Sequence, residues 1–463
     1  MSNGAERIRM EVMIRFVRRF FDGTLETCID SIPIRMRPKS TSSSRCCIYH
    51  DRAVLRYRLM TLLGFSCEEE IDETKPLVSY LADAKQRTRP DKPLSVCGAA
   101  CAGCPDSSFL VTRACRGCFA RPCQYACPKN AITVEEGKSR IDEALCIKCG
   151  KCAQVCPYHA ITRTAVPCEE ACPVGAIRKN GAGVAEIDYD QCIFCGKCYS
   201  KCPFAAIMER SEMFAILSAM KAGRKLVALV APSAQIQFPG TLEQLFSAIA
   251  KAGFDDVVEV ASGAERTMDH EAHEFVERMQ AGAKLMTTSC CPAWTQLVSR
   301  HFPAFSENVS RTPSPMLYAA QIAKTRYPDA VVVFMGPCLA KRSEARLSKD
   351  IDHVMTFQEL GALLAGRNID IITQEPWRFT NAASAPARNF ARNCGVTEAV
   401  LHEMAEKNLG ANFTLNAGFV NGIDRKTLPL LRVYAAGKTP HNFLEVMGCE
   451  GGCACGPCSL VKE

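Results

Sequence analysis

The pattern of apolar and polar positions changes twice along the chain, and the first pattern is helical. Residues 7–21, RIRMEVMIRFVRRFF, place apolar side chains every three or four positions with arginines between them. This periodicity predicts an amphipathic helix with a basic face. We expect the helix to pack on its own protein rather than lie on a membrane surface. A Pro/Ser loop and a second helical segment follow, so residues 1–95 are predicted to be a mainly helical N-terminal region, with Cys46 and Cys47 buried.

From about residue 211 onward the pattern is that of an α/β protein. The apolar runs KLVALVAP, AKLMTTSCCP and AVVVFMGPC alternate with helical segments such as GTLEQLFSAIAKAGF. Continuous apolar strands between helices favour a mostly parallel sheet that is covered on both faces. Each of the three runs ends in a loop with unusual residues, at the strand ends where open α/β sheets bind ligands.

The segment between these regions, residues 96–210, holds most of the 29 cysteines. The overall composition, 48% apolar and 23% charged, is that of a globular protein. Nothing resembles a secretory signal, and no apolar stretch has the length of a membrane span. We therefore expect a cytoplasmic protein without a membrane span, whose reduced thiols serve as metal ligands.

The formal net charge of +7 is modest, and we expect it to be spread along the chain. It favours an acidic protein partner weakly. No basic run is interleaved with aromatic residues, so we expect no nucleic-acid partner.

Two stretches have the same cysteine spacing, C-x2-C-x2-C-x3-C-P. They are CIKCGKCAQVCP (146–157) and CIFCGKCYSKCP (192–203). This is the spacing of bacterial ferredoxins, in which three thiolates hold a [4Fe-4S] cubane and the fourth reaches a neighbouring cluster. Zinc is the alternative for clustered thiols, but two copies with the trailing proline favour iron–sulfur.

Three further fragments supply eight more thiols: CRGCFARPCQYACP (115–128), CAGC (101–104) and PCEEACP (167–173). The total of sixteen suffices for four cubanes and leaves Cys97 over. With the fourth ligand exchanged between neighbours, the predicted sets are Cys115, Cys118, Cys123 and Cys156; Cys146, Cys149, Cys152 and Cys127; Cys192, Cys195, Cys198 and Cys172; and Cys101, Cys104, Cys168 and Cys202. Such a chain of clusters would move electrons between the surface and a buried site.

The remaining cysteines of interest lie in three separate loops and have no ferredoxin spacing. They are the pair Cys290 and Cys291, Cys338 in FMGPCLAKRSE, and Cys449 and Cys453 in EVMGCEGGCACGPC. Four thiolates from three loops are enough for a fifth cubane at the strand ends.

With these loops the sequence resembles the iron-iron (FeFe) hydrogenases over most of its length. The family patterns T-S-C-C-P-x-W, P-C-x-x-K-x-x-E and M-x-C-x-x-G-C are present at 288–294, 337–344 and 447–453. The resemblance implies an H-cluster, in which a cubane is joined through one cysteine to a two-iron unit that carries CO, cyanide and a bridging azadithiolate. By the same resemblance the cubane ligands are Cys291, Cys338, Cys449 and Cys453, and Cys453 bridges to the two-iron unit.

The resemblance also implies roles for residues that bind no iron. Cys290 would pass protons to the azadithiolate amine, and Glu271, Ser310 and Glu274 would continue the proton path. Lys341 would donate to a cyanide nitrogen, and the residues lining the two-iron unit would be Ala231, Pro232, Ser233 and Met447.

The residues alone leave simpler alternatives open for three of these assignments. Cys290 would then be a small packed residue, and Lys341 a surface lysine. Glu271, Glu274 and Arg278 fall on one helical face, which would be a solvated face with a Glu274–Arg278 ion pair.

Three departures from the commonest family form point to the less studied group B: M-G-P-C at 335–338, the ending CACGPC, and an N-terminal region unlike the usual plant-ferredoxin-like domain. The predicted fold is a multidomain α+β and α/β protein: a helical region (1–95), a bacterial-ferredoxin-like relay domain (96–210) and a two-lobed α/β hydrogenase domain (211–463). The predicted function is reversible hydrogen production and oxidation, with ferredoxin or another small electron carrier as partner and with maturation proteins for the H-cluster. The alternative is a polyferredoxin-like electron carrier, or an iron–sulfur assembly or sensor protein, that lacks the two-iron unit.

Overall fold

The N-terminal region is helical, as predicted. The computed structural model describes residues 4–87, 89–101, 103–104, 108–379, 382–410 and 413–461. The helices of this region are α1 (Gly4–Phe21), α2 (Leu25–Cys28), α3 (Ile32–Met36), α4 (Ile48–Leu62) and α5 (Leu77–Ala84).

The cysteine-rich region consists of short strands and single-turn helices. They are β1 (Leu94–Val96), α6 (Gly98–Cys101), β2 (Ser108–Val111), α7 (Pro122–Tyr125), β3 (Ile132–Glu135), β4 (Lys138–Ile141), α8 (Lys151–Gln154), β5 (Ile161–Thr164), α9 (Pro167–Ala171), β6 (Ile177–Lys179), β7 (Ala185–Ile187), α10 (Lys197–Lys201) and β8 (Ile207–Glu209).

These strands form one topology twice, and one copy is nested inside the other. In the outer copy, β1 pairs antiparallel with β8, and the β6–β7 hairpin lies between them in sequence. In the inner copy, β2 pairs antiparallel with β5 around the β3–β4 hairpin. The inner copy, residues 108–164, lies in the chain between Cys104 and Cys168, and we call it the inserted lobe. It has a small core of its own around Phe109, Ile132 and Ile161.

The remainder of the chain is an α/β region. Its elements are α11 (Met213–Lys221), β9 (Leu226–Val230), α12 (Leu242–Lys251), β10 (Asp256–Glu259), α13 (Val260–Gln280), β11 (Met286–Thr287), α14 (Pro292–His301), α15 (Pro315–Arg326), β12 (Val331–Gly336), α16 (Ala340–Ala345), β13 (His353–Thr356), α17 (Phe357–Gly366), α18 (Ala385–Asn389), α19 (Gly395–Glu406), β14 (Ala417–Asn421), α20 (Thr427–Ala435) and β15 (Phe443–Met447).

The strands of this region form two parallel sheets, where the sequence suggested one. The first has the order β10-β9-β12-β13 and the second β11-β15-β14. Two of the predicted apolar runs, β9 and β12, are neighbours in the first sheet, but the third run is β11 in the second sheet. Apolar continuity identifies a buried strand without identifying its partner, which is why the sequence pattern did not assign the third run to a second sheet of the predicted two-lobed domain.

The first helix packs on the α/β region, as expected. It buries Phe16 and Val17 completely and lies against α17. The contact is close, since a Cβ at Gly366 would lie 2.5 Å from a Val17 methyl group. The division of the chain into domains at residues 95 and 210 stays a prediction.

The expectation of buried Cys46 and Cys47 was wrong, because both thiols are exposed. The Sγ of Cys46 lies 3.1 Å from Nδ1 of His50, a polar contact at the surface that the apolar character of cysteine did not suggest. Among the described residues, no helix is both long enough and apolar enough to cross a membrane.

Candidate active site

The loops that carry the separated cysteines meet where the two parallel sheets end. In the second sheet, the N–H of Thr288 donates to the Leu444 carbonyl (3.0 Å), and the N–H of Val446 donates to the Thr288 hydroxyl (3.1 Å). These bonds hold the loop after β11, with Cys290 and Cys291, beside the loop after β15, with Cys449. In the first sheet, the loop after β12 carries Cys338. The site therefore lies at strand ends, where parallel sheets place ligands.

Four partly buried thiols come together there, and they are the four predicted cubane ligands. Burial raises the pKa of Cys449 well above its usual range, and the nearby thiols of Cys338, Cys291 and Cys453 raise it further. Burial likewise raises the pKa of Cys338 to about 11 and that of Cys453 to about 12. The loops also approach closely, since a Cβ at Gly448 would lie 3.1 Å from the Cys291 sulfur.

This set of donors fits a cubane. Four thiolates in a buried space repel one another and lose their hydration, so they need a multiply charged metal centre to become anionic. Across the described part of the chain, no three Cys, His, Asp or Glu side chains are close enough to bind one metal ion. A cubane offers each thiolate a separate iron atom and so accepts sulfurs that are held further apart.

Cys290 is not part of this set but lies beside it. Burial raises the pKa of its thiol well above the usual range, and the neighbouring Glu271 carboxyl and the Cys291 sulfur add to the effect. The carbonyl of Cys290 accepts a hydrogen bond from Nζ of Lys341 (3.2 Å). The thiol therefore lies between the cubane ligands and a buried carboxyl group.

Lys341 lies inside the site, so the alternative of a surface lysine is wrong. Only 12% of its side chain is exposed, and its Nζ also donates to Oε2 of Glu344 at 2.6 Å and to Ser314 at 3.1 Å. Burial alone would lower the pKa of Lys341, but the Glu344 carboxylate outweighs this and raises it. The structure therefore places a permanent cation next to Cys290, where it suits an anionic ligand of a metal centre.

The predicted lining residues lie at the same strand ends. The N–H of Ala231 donates to the Met335 carbonyl (2.9 Å), which joins the ends of β9 and β12. Ser233 is buried, and its hydroxyl has no hydrogen-bond partner among the described residues. Pro232 begins the short 3-10 turn Pro232–Ile236 that contains Ser233, and Met447 is buried at the end of β15. An unpartnered buried hydroxyl fits a site that holds a polar group.

Glu271 is fully buried on α13 and faces Cys290. Neither of its carboxyl oxygens accepts a hydrogen bond of ordinary geometry from the described residues, although the Ser310 hydroxyl and the Ser289 backbone lie near. Burial raises the pKa of Glu271 to about 8, and the Glu274 carboxylate adds to this. Near neutral pH this group therefore holds a proton.

Glu274 is in the opposite electrostatic situation. Burial would raise its pKa, but the N–H of Arg311 (2.9 Å) and the hydroxyls of Ser310 (2.7 Å) and Thr312 (2.8 Å) donate to it, and together they lower its pKa. A neutral carboxyl and an ionised one, with a serine hydroxyl between them, are arranged as acid and base. The alternative of a solvated face was wrong, although the predicted Glu274–Arg278 ion pair is present at 2.6 Å.

Two of the four accessory ligand sets are brought together as predicted. Around Cys198, burial and the thiols of Cys195, Cys192 and Cys172 raise its pKa. Around Cys168, burial and the thiols of Cys202, Cys101 and Cys104 raise its pKa to about 12. The two sets adjoin, since Cys168 also lies near Cys198. Cys195 in turn lies near Cys449, so this relay leads to the active-site thiols.

The other two sets lie in the inserted lobe. Cys123 and Cys152 are buried in its core, and Cys127 and Cys156 pack against it. Cys152 lies near Cys146 and Cys149. The exchange of Cys127 and Cys156 between the two sets stays a prediction.

A repeated hydrogen bond supports all four cysteine motifs, and our reading of the sequence missed it. The last cysteine of each motif accepts an N–H from an alanine four residues later, at 3.2–3.3 Å. The donors are Ala131, Ala160, Ala176 and Ala206. The pattern C-P-x-x-A occurs four times in the sequence and would have revealed these donors. Hydrogen bonds to ligand sulfur stabilise the reduced cluster and so tune its potential.

Several other residues were missed or left without a role. Glu344, which anchors Lys341, belongs to the P-C-x-x-K-x-x-E pattern, and Thr312, which donates to Glu274, has no evident sequence pattern. Cys97 is buried against Cys67. Cys455 and Cys458 lie outside the four-thiol set, and Cys458 is buried near Glu209 and Arg342.

Comparison with known families decides the identity of the α/β region. Residues 224–457, half of the chain, match the family described as the iron only hydrogenase large subunit, C-terminal domain. The chain belongs to this hydrogenase family. Residues 139–162 and 185–208 match the 4Fe-4S binding domain.

Curated relatives agree with this assignment. The chain is 26% identical over 400 residues to iron hydrogenase 1 of Clostridium pasteurianum, a match that covers 73% of this chain and 68% of that protein. It is 28% identical over 377 residues to the periplasmic [Fe] hydrogenase large subunit of Nitratidesulfovibrio vulgaris, covering 68% and 85%. Among solved structures, an [FeFe]-hydrogenase of Chlamydomonas reinhardtii matches with a TM-score of 0.42 at 21% identity and covers 51% of this chain and 80% of that one.

Membership of the family confirms the predicted fold class and enzyme class. The chain is an oxidoreductase of hydrogen metabolism, with ferredoxin-like iron–sulfur parts and a hydrogenase catalytic region. Its cofactors are [4Fe-4S] clusters and an H-cluster. The roles of individual residues and the assignment to group B stay predictions.

Proposed function

We propose that this hydrogenase catalyses the reversible reaction 2H⁺ + 2e⁻ ⇌ H₂, and that Cys290, Glu271, Ser310 and Glu274 carry its protons. The observation that carries the proposal is the pairing of the partly buried Cys290 thiol with the fully buried Glu271 carboxyl group next to four convergent thiols. A cubane alone requires neither Cys290 nor a buried proton donor.

Cys291, Cys338, Cys449 and Cys453 would hold the cubane of the H-cluster, with Cys453 as the bridge to the two-iron unit. When bound, the H-cluster supplies the iron at which electrons and protons combine and the basic amine that exchanges protons with the protein. Lys341 would donate to an anionic ligand of the two-iron unit. Ala231, Pro232, Ser233 and Met447 would shape its pocket and exclude water.

The hydrogen bonds give the proton path a direction. The Ser310 hydroxyl donates to Glu274 and its oxygen accepts the N–H of Thr312, which leaves one lone pair to accept from a protonated Glu271. A proton leaving Cys290 in the hydrogen-oxidising direction would pass to Glu271, then through Ser310 to Glu274. Glu274 is 16% exposed and lies beside Arg311, which is 82% exposed, so the path reaches the surface there.

Electrons would arrive one at a time through the accessory cubanes and leave the relay at Cys195, beside Cys449. The partner would be ferredoxin or another small one-electron carrier, and maturation proteins would install the two-iron unit. We place the protein in the cytoplasm and expect it to bind no nucleic acid.

Infrared spectroscopy on anaerobically matured protein tests this proposal. We expect CO and cyanide stretching bands together with hydrogen evolution from reduced methyl viologen. Iron and sulfide without these bands, and without hydrogen, would support the alternative of a multi-cluster electron carrier.

The Cys290→Ala variant tests the proton path. We expect the loss of nearly all turnover with unchanged iron content and infrared bands, because the thiol binds no iron. Cys28→Ala is the matched control, since Cys28 is also a partly buried thiol but belongs to the N-terminal helices. Full turnover in Cys290→Ala would show that protons reach the cluster by another route.

A further inference from the structure

The positive charge of the protein is concentrated in the inserted lobe. Residues 108–164 contain nine Lys and Arg residues and four Asp and Glu residues, a formal charge of +5 out of +7 for the whole chain. The other 406 residues together carry only +2. The expectation of an even spread was therefore wrong. A local excess of one sign steers partners of the opposite sign.

The same lobe exposes large apolar side chains in its cysteine loops. Phe119, directly after Cys118, is fully exposed, and Tyr125, between Cys123 and Cys127, is 85% exposed. Ile147, within the other motif, and Tyr158, directly after it, are about half exposed. Exposed apolar surface that is grouped in one place and rimmed by polar residues marks interaction sites, and these four side chains all belong to the cysteine loops of one small lobe.

The position of the lobe leaves these loops accessible. Its two ends join the outer ferredoxin unit next to Cys104 and Cys168, and an ion pair between Arg163 and Glu170 (2.7 Å) crosses this junction. The described elements of the lobe pack mainly on one another around their own small core. The structure describes all sixteen predicted accessory ligands. Of these, Cys149 is exposed, and the other fifteen are buried or partly buried.

We propose that the inserted lobe is the docking surface of a small acidic one-electron carrier protein, and that electrons cross at the cubane held by Cys149. The inference rests on the proposed function and adds the place and the chemistry of the contact. The basic side chains of the lobe would attract the acidic carrier, and the exposed rings next to the thiols would complete a small contact. Small interfaces of this kind suit partners that must bind and leave quickly.

The electron balance is simple. One electron passes from the reduced carrier to the oxidised cubane, which leaves the carrier oxidised and the cubane reduced by one electron. Two such encounters supply the two electrons for one H₂. No bond is made or broken at the interface.

The test uses the matured holoenzyme and compares two electron donors. Hydrogen evolution is measured with reduced acidic 2[4Fe-4S] ferredoxin, at low and high salt, and with reduced methyl viologen, a small cationic dye. The first variant combines Lys129→Glu, Lys148→Glu and Lys151→Glu, three exposed positions of the lobe. A second, independent variant combines Phe119→Ser and Tyr125→Ser. The control combines Lys39→Glu, Lys349→Glu and Lys438→Glu, which changes the charge equally at exposed positions elsewhere.

For both lobe variants we expect the KM for ferredoxin to rise at least about tenfold at low salt, with rates on methyl viologen within about twofold of wild type. Salt should raise the ferredoxin KM of the wild type and of the control, because it screens attraction between exposed charges. It should change the KM of the lysine variant very little. A ferredoxin KM that changes equally in the control would overturn the proposal. So would lobe-dependent binding to phosphatidylserine vesicles, or a lobe-dependent dimer, without an effect on ferredoxin. Absence of methyl viologen activity in the wild type would instead refute the proposed function.

Discussion

The protonation of Glu271 can be measured directly and would report on the interior of the active site. The side chain has no exposed surface, it lies near the Glu274 and Glu445 carboxyl groups, and its pKa rises from 4.5 to about 8. A change of this size corresponds to about 5 kcal/mol, at about 1.4 kcal/mol per pKa unit. The ionised form is disfavoured by that amount in the folded protein.

The sign of the effect on stability follows from the direction of this pKa change. The folded protein holds the proton more tightly than the unfolded chain does, so this stabilisation is complete below about pH 4.5. It is lost as the pH rises towards about 8, with a slope of about 1.4 kcal/mol per pH unit. Glu271→Gln carries no proton in this range and should lack this part of the pH dependence.

Infrared difference spectra of the anaerobic protein between pH 6 and pH 10 provide the assay. We expect a protonated carboxylic acid band that disappears with a midpoint near pH 8 and that is absent from Glu271→Gln. Thermal unfolding at a fixed scan rate should show a larger loss of Tm between pH 6 and pH 9 in the wild type than in the variant. A midpoint below pH 6, or equal losses of Tm, would refute the reasoning from burial.

Three further predictions concern single residues. Gly448→Ala should reduce hydrogen evolution at least about tenfold and lower active-site iron while the accessory clusters remain, because its methyl group would lie 3.1 Å from the Cys291 sulfur. The control is Gly181→Ala, which has open space around it. Normal activity of Gly448→Ala would contradict the described geometry. Glu359→Gln should destabilise the protein by about 3–5 kcal/mol in denaturant unfolding, because it leaves the buried Arg342 without its bidentate carboxylate. The control Glu26→Gln, at an exposed ion pair, should have little effect. Equal changes in the free energy of unfolding for the two variants would show that the buried ion pair is unimportant. Ala205→Gly should raise Tm, because Ala205 has a φ of +49°, a left-handed conformation that costs a residue with a Cβ roughly 1–2 kcal/mol. The control Ala206→Gly should lower Tm. A rise of Tm in both variants would contradict the explanation from backbone conformation.

The sequence carried more information about the chemistry of the site than about its surroundings. The spacing of the cysteines predicted two of the accessory thiol groups that the structure brings together, around Cys198 and around Cys168. The active-site thiols were predictable only through the family resemblance, since Cys291, Cys338 and Cys449 come from loops that are far apart in sequence. Helical periodicity correctly placed Glu271 and Glu274 on one face of α13, but it did not reveal that this face is buried.

What the sequence did not reveal depends on contacts between distant segments. The separation of β11 from β9 and β12 into another sheet is set by pairing with β15, which no local pattern records. The pairing of β1 with β8 across more than a hundred residues is of the same kind. The accumulation of charge in the inserted lobe was visible in the sequence but became meaningful only once the lobe was seen as a unit.

The nesting of one ferredoxin unit inside another also sets an order for biosynthesis. Cys101 and Cys104 emerge from the ribosome early, but their partners Cys168 and Cys202 follow only after the whole inserted lobe has been made. The two predicted ligand sets of the lobe are complete once Cys156 has emerged, whereas the predicted outer sets are complete only after Cys202. The predicted ligand sets of the inserted lobe are therefore the first to be synthesised in full, and the active-site set, which needs Cys453, is the last.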